Sequence, residues 1–329
     1  MKKLYLASLA SGLTLLTIFV GSWFCSFQFK YTPREDLVVD QAESSAVIRL
    51  LQKDVTKLAS SIGPRSFKHP ENLSKASGYI QGRYKELGYQ PELQKYKSQG
   101  QEVENIYAIK KSSDEKAEVL IIGAHYDTQF SNPGADDNAS GVAVLLALMK
   151  ALANAKLSTT IHFVSFVNEE FPYGLTPLMG SYQYAKMIHD QNLPVKGMIS
   201  LESVGYFDSA KDSQRYPLGF LNLLYPNSAD FIAVVGNLSS HRMVSEIVEG
   251  FQKSSPIKSE GAALPEIIRD IARSDHWAFW KFGFEAVMVT DTANFRNANY
   301  HKSTDHPDTL SYEHMHLVYL GLLGYLEGQ

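Results

Sequence analysis

Cysteine is almost absent from this chain: Cys25 is the only one in 329 residues, and it falls within an N-terminal apolar stretch. The rest can therefore close no internal disulfide and has no thiolate with which to attack a substrate or hold a soft metal ion. Any metal must be held by His, Asp and Glu. Runs of like charge are missing too. The 31 basic and 35 acidic residues are scattered and leave a net charge of -4, so no basic tract points to nucleic acid and no acidic tail to a solvating arm. Internal repeats and low-complexity tracts are also lacking.

The longest apolar run is at the N-terminus. Leu4 to Phe29 carries no charge and is flanked by Lys2 and Lys3 on one side and by Lys30, Arg34 and Glu35 on the other. A bilayer core takes about 20 residues of helix, and this run is longer. A cleaved signal has a shorter apolar region that ends in a small-x-small site. Here Ala7-Ser8-Leu9-Ala10 comes too early, and Gly21-Ser22-Trp23-Phe24-Cys25 ends in bulky residues that also argue against lipidation at Cys25. The expectation is a signal anchor, a transmembrane segment over residues 1–29, followed by a polar linker over 30–44. Lys2 and Lys3 favour a cytoplasmic N-terminus, although Lys30 and Arg34 weaken that vote. The protein would then be single-pass in the cell membrane, its remainder facing the periplasm or exterior. Secretion after signal cleavage is the alternative, and both readings take the remainder out of the cytoplasm.

Residues 45–329 alternate between helical and strand periods. Val47–Leu58, Leu73–Leu87, Gly141–Ala153, Tyr182–His189, His241–Phe251 and Tyr312–Leu326 read as helices. Val103–Ile109, Ala117–Ile122, Thr160–Val167, Gly197–Val204, Phe231–Val235 and Ala286–Val289 read as strands. Such alternation predicts one α/β domain, with a mostly parallel, mixed central sheet and helices on both faces.

In sheets of this kind ligands sit at the carboxyl ends of the strands. One strand ends in Gly123-Ala124-His125-Tyr126-Asp127, and Gly134-Ala135-Asp136-Asp137-Asn138-Ala139-Ser140-Gly141 follows to open a helix. Others end in Asn168-Glu169-Glu170 and Glu202-Ser203, and Tyr300-His301 follows the strand at Ala286–Val289 after a loop. Imidazole and carboxylate are what zinc accepts where thiolate is lacking. A carboxylate shared between two ions about 3.5–4 Å apart makes a two-metal hydrolytic centre. Successive side chains on extended backbone point opposite ways, so only one of Glu169 and Glu170 should ligate, leaving the other free to move a proton. His125 and Asp127 lie on one side of an extended strand end, which lets Asp127 receive the imidazole proton of a metal-bound histidine.

These motifs, with Gly180-Ser181, Leu201-Glu202-Ser203-Val204-Gly205 and Ser274-Asp275-His276, resemble the M28 family of zinc peptidases in content and order, from about residue 45 to 329. The likeness is to aminopeptidases of a membrane-anchored bacterial type. It implies two zinc ions, with His125 and Glu202 on one, Glu170 and His301 on the other, and Asp137 bridging. Glu169 would be the general base and 45–329 the catalytic domain, acting on peptides with a free N-terminus. Many relatives carry Asp where Glu202 stands. A cis peptide between Asp137 and Asn138 is also implied. His301 is favoured over His306 because the family ligand follows a position matching Tyr300.

Plainer roles remain for several residues. Asp136 is expected to cap a helix rather than ligate. Asp275 and His276 are placed near the substrate pocket, with a structural role at even odds. Phe279, Trp277 and Trp280 read as core before pocket wall, and the remaining histidines as ordinary. The loop Phe171–Met179 and the aromatic stretch Asp208–Asn227 are candidates for shaping substrate subsites. Glutaminyl cyclase-like transfer and carboxypeptidase action are the enzymatic rivals to an aminopeptidase. A non-catalytic receptor-like homologue is the remaining one, disfavoured because every ligand position is filled.

Overall fold

The computed structural model describes residues 28–29, 37 and 41–329. The expected membrane anchor over 1–29 lies outside the described residues but for Gln28–Phe29, as does nearly all of the linker up to residue 40. The first described helix, α1, runs Gln41–Thr56 and continues as a π-helical turn over Lys57–Ile62. The last four residues assigned to the linker, 41–44, therefore belong to α1. Among the described residues no helix is long and apolar enough to cross a membrane.

Among the described residues nine strands form one sheet: β1 Gln28–Phe29, β2 Glu92–Ser98, β3 Gln101–Lys110, β4 Val119–His125, β5 Thr160–Phe166, β6 Val195–Glu202, β7 Phe231–Asn237, β8 Lys258–Leu264 and β9 Ala286–Thr290. Their order is β1-β8-β7-β9-β6-β4-β5-β3-β2. The middle four, β5, β4, β6 and β9, are mutually parallel, as is the pair β7–β8. The outer joins β1–β8, β2–β3 and β3–β5 are antiparallel, and so is β7–β9. The ligand-bearing ends of β4, β5 and β6 thus emerge side by side at one edge of the sheet.

Both faces of the sheet are covered, which is why its central strands are apolar without alternation. Leu120 and Ile122 of β4 pack into the larger core with Leu51 and Val55 of α1, with the helix Gly141–Leu152, and with Val318 and Leu322 of the last helix, Tyr312–Glu327. Val119 and Ile121 face the other core, against Tyr184 and Ile188 of Gly180–Asp190 and against Phe279 and Trp280. Trp280 donates its indole N–H to the Ala286 carbonyl at 2.9 Å, so it and Phe279 are core. The sequence reading missed β2 and β8. β2 (ELQKYKS) is an exposed edge rich in charge, and β8 (KSEGAAL) is built from small residues, so neither shows an apolar period.

Candidate metal centre

His125 is the last residue of β4 and Glu202 the last of β6, while Glu169 and Glu170 follow β5. The chain must turn sharply to aim these groups at one point. Asn168, Ser203 and His301 take left-handed backbone, with φ of 60°, 48° and 58°. Residues with a Cβ seldom do so away from functional sites. The Asp137-Asn138 peptide is cis, as implied by the family likeness.

His125 Nε2 lies 3.1 Å from Glu202 Oε2 and 3.3 Å from Asp137 Oδ1. The other oxygen of Asp137, Oδ2, is 3.0 Å from His301 Nε2, which is 3.5 Å from Glu170 Oε2. Two donor groups result, His125–Asp137–Glu202 and Asp137–Glu170–His301, each within 4.8 Å and sharing Asp137. These are the five residues expected to ligate. Glu169 belongs to neither group: its Oε2 is 3.9 Å from His125 Nε2. His306 is exposed and takes no part.

Both Asp137 oxygens, Glu170 Oε1 and His301 Nε2 are buried without a hydrogen-bond partner. Each such orphan costs about 1–3 kcal/mol, more if charged, unless something cationic meets it. A divalent ion held by either group would meet Asp137, and the oxygen and nitrogen donors suit zinc. The residues present therefore fit the metal. Electrostatics point the same way. Burial opposes a proton on His301, yet Asp137 and Glu170 push its pKa up to about 10. On His125 burial is likewise outweighed, chiefly by Glu202 and Glu169, and its pKa is raised. The centre stabilises positive charge wherever it can be placed.

The supporting residues are as ordered as the donors. Asp127 does not reach His125 Nδ1 closely: its carboxylate stands 3.6 Å away, and its own carbonyl is nearer at 3.3 Å. Its two oxygens instead accept the backbone N–H groups of Glu169 at 3.1 Å and Glu170 at 3.2 Å. Asp305 does the same for Asp136 at 2.9 Å and Asp137 at 3.2 Å. Each buried aspartate thus grips two successive amides of a segment bearing a ligand. Asp136 is no ligand: it accepts from Gly205 N–H and from Asn297, at 2.9 and 2.6 Å. Asn138 spans to β6, donating to the Leu201 carbonyl at 2.8 Å and accepting the Ser203 N–H at 3.1 Å. Ser274 donates to Glu202 Oε2 at 2.8 Å.

Arg65, Asp305 and Ser274 were not foreseen as site residues. Arg65 is wholly buried and donates to the carbonyls of Tyr126, Pro133 and Gly134 at 2.8, 2.6 and 2.8 Å. Nothing in the sequence around Gly63-Pro64-Arg65 signals this, because these three partners lie more than sixty residues away. Asp275, expected near the substrate pocket with His276, lies close enough to His125, Glu202 and Asp127 to feel their charges. Asp275 and His276 are both fully buried. Burial pushes the Asp275 carboxyl up to about 7. His276 faces the core, with Nε2 2.6 Å from the Ile271 carbonyl and its ring edge-on to Trp280.

A cavity of about 110 Å³ opens beside Glu202 and Tyr300. It lies over β9, β7 and β8, floored by Ala233, Val235, Ala262 and Met288 and walled by Tyr216, Leu221 and Tyr225. The aromatic stretch Asp208–Asn227 does therefore border a pocket next to the donors.

An α/β sheet whose strand ends converge on a histidine–carboxylate donor set defines a metal-dependent hydrolytic type of centre. The chain belongs to peptidase family M28, whose model matches residues 105–325. It is 36% identical over 281 residues to the uncharacterized protein YfbL of Escherichia coli, covering 83% of this chain and 85% of that one. It is 25% identical over 213 residues to leucine aminopeptidase 1 of Arthroderma otae, covering 60% of this chain and 51% of that one. Its fold is shared with a zinc aminopeptidase from Bacillus subtilis, at a TM-score of 0.63 and 14% identity, covering 84% of this chain and 94% of that one.

Proposed function

We propose that the protein is a zinc-dependent aminopeptidase that releases N-terminal residues from peptides with a free N-terminus. The observation that carries this reading is Asp137, whose two unpartnered oxygens each face a different histidine, with Glu169 beside the donors and bound to neither group. Zinc held in the two groups would supply a Lewis acid that polarises a carbonyl and acidifies water. Glu169 is suited to take a proton from that water and return it to the leaving amine. Burial above all raises its pKa, His125 offsets part of the rise, and Glu202, Glu170 and Asp275 add to it. A carboxylate so placed holds a proton more readily than one in water. Asp127 keeps Glu169 and Glu170 in register through their amides. The carboxylates around the donors can receive the substrate's terminal ammonium, and the cavity beside Glu202 its first side chain. The apolar run Leu4–Phe29 supports tethering to the cell membrane, with the catalytic domain on the outer side.

The test is release of amino acid from unblocked and N-acetylated dipeptides and aminoacyl amides, with and without a chelator. Chelator-sensitive cleavage of the unblocked substrates alone is expected. Glu169→Gln should lower kcat at least about a hundredfold while zinc content holds. Zinc-loaded protein that cleaves none of them would replace this reading with cyclisation of N-terminal glutamine or with carboxypeptidase action.

A further inference from the structure

At the β4 and β5 strand ends, away from the strands that carry the cavity, exposed aromatic residues follow His125 and Glu170. Phe130 follows the His125 segment by a few residues and is 37% exposed, and Phe171 directly follows Glu170 and is 61% exposed. Their rings meet edge-on at 5.7 Å. Behind them Phe67 is edge-on to both Phe130 and Tyr173, at 6.2 and 5.9 Å, and Leu175 in the same loop as Phe171 is 46% exposed.

This patch is held in place. Ser66 Oγ donates to the Phe130 carbonyl at 2.6 Å, and Lys68 Nζ sits 4.3 Å from the Phe130 ring centroid. The loop after Phe171 turns straight back on the ligand, since the N–H groups of Tyr173 and Gly174 donate to the Glu170 carbonyl at 2.9 and 3.2 Å. At Gly174 a Cβ would lie 2.7 Å from the Glu169 carbonyl oxygen, so the loop can come this close only as glycine. Exposed rings fixed by their neighbours lose little entropy when covered, and covering them is favourable.

Sheet order supplies the direction. The cavity lies over β9, β7 and β8, beyond Glu202 on β6, whereas the aromatic residues follow β4 and β5. Glu202 on β6 stands between, and His125 and Glu170 share the aromatic strand ends. An enzyme that removes a terminal residue needs a recess on one side of the scissile bond and an open path for the remaining chain on the other. We infer that the Phe130–Phe171 shelf is the subsite for the residue after the scissile bond, and that it selects peptides whose second residue is apolar. This rests on the aminopeptidase reading.

The experiment compares kcat/KM for X-Phe, X-Gly and X-amide, where X is the N-terminal residue the full chain cleaves best. Phe171→Ala and Phe130→Ala should each lower the X-Phe value about tenfold and leave X-Gly and X-amide within about twofold. Loss on all three alike, or an unchanged X-Phe to X-Gly ratio in both variants, would overturn the shelf while leaving aminopeptidase action in place. A wild-type enzyme inactive on all unblocked substrates would remove the underlying reading instead. Because Phe171 is well exposed, its truncation leaves the core untouched, and thermal melting of both variants checks that folding is retained.

Discussion

Arg65→Met should destabilise the protein and loosen its metal site together. The guanidinium is wholly buried and makes three short hydrogen bonds, to the Tyr126, Pro133 and Gly134 carbonyls, with longer ones to Leu58 and Gly63 at 3.2 and 3.3 Å. Methionine keeps much of the stem and none of the donors. The Gly134 carbonyl keeps the Ala139 N–H at 3.2 Å; a buried carbonyl left without a partner costs about 1–3 kcal/mol, so the other two cost about 2–6 kcal/mol. Some of this is returned, because a buried charge no longer has to be desolvated. Burial pulls the Arg65 pKa down to about 10, with Asp305, Asp127 and Asp137 opposing; it is still protonated at pH 7. A net loss of about 2–4 kcal/mol is expected. Two of the released carbonyls flank the ligands, Tyr126 next to His125 and Gly134 three residues before Asp137, so zinc affinity should fall about 10–100-fold. Urea unfolding of chelated protein measures the first effect and competition with a zinc indicator the second. Stability within about 1 kcal/mol of wild type, with zinc affinity unchanged, would refute the claim that Arg65 organises the site.

Gly141→Ala would ordinarily favour a helix by up to about 1 kcal/mol. Here the new Cβ would lie 2.4 Å from Asn138 Oδ1 and 2.7 Å from the Leu201 carbonyl, so a net loss of about 2 kcal/mol or more is expected in urea unfolding. His162 and His276 are each lowered to about 4, by burial, which in His276 a bond to the Ile271 carbonyl partly offsets. The unfolded chain therefore takes up protons first. Their contribution is full above pH 6.5 and is lost as pH falls toward 4, at about 1.4 kcal/mol per unit for each ring. Asp275 and Asp305, raised to about 7 and 8 by burial, act with opposite sign, favouring the fold at low pH and losing that contribution as pH rises. Histidine NMR at pH 5.5 is thus the cleaner measurement. Both rings should be neutral there, and titration of either near 6.5 would contradict the burial argument.

The donors were legible because they fall at strand ends, and strands such as Val119–His125 announce themselves as unbroken apolar runs. Their segments could then be placed at one edge, while the choice of Glu170 over Glu169, of Asp137 as the bridge and of His301 over His306 came from the family likeness. Their scaffolding was hidden for a different reason. Asp305 grips amides 168 and 169 residues away, and no local pattern encodes such a partner. Asp127 was legible as a site residue but not in its contacts, since spacing of two placed it near His125 and said nothing of the Glu169 and Glu170 amides. The short β8 with its Gly-Ala-Ala lacks side chains large enough to reveal a period, yet its small residues are what leave room for the cavity beside Glu202.

Charge gives the last step. Asp127, Asp136, Asp137, Glu170, Glu202, Asp275, Asp291 and Asp305 are all buried in and around the donors, and the guanidinium groups buried among them are Arg65 and Arg296. Unmet carboxylates at such density repel one another and raise each other's proton affinity. Two divalent cations bound at Asp137 would relieve that repulsion in the folded chain alone, so metal should stabilise the fold by mass action. At free zinc about a hundred times Kd the gain is about 2.7 kcal/mol per site. For a chain of this size, stripping even one site should lower Tm by about 4 °C. Scanning calorimetry with chelator, and again after zinc is restored, measures this directly. A Tm indifferent to both would mean that protons alone neutralise the cluster, and the metal centre proposed here would fall with that result.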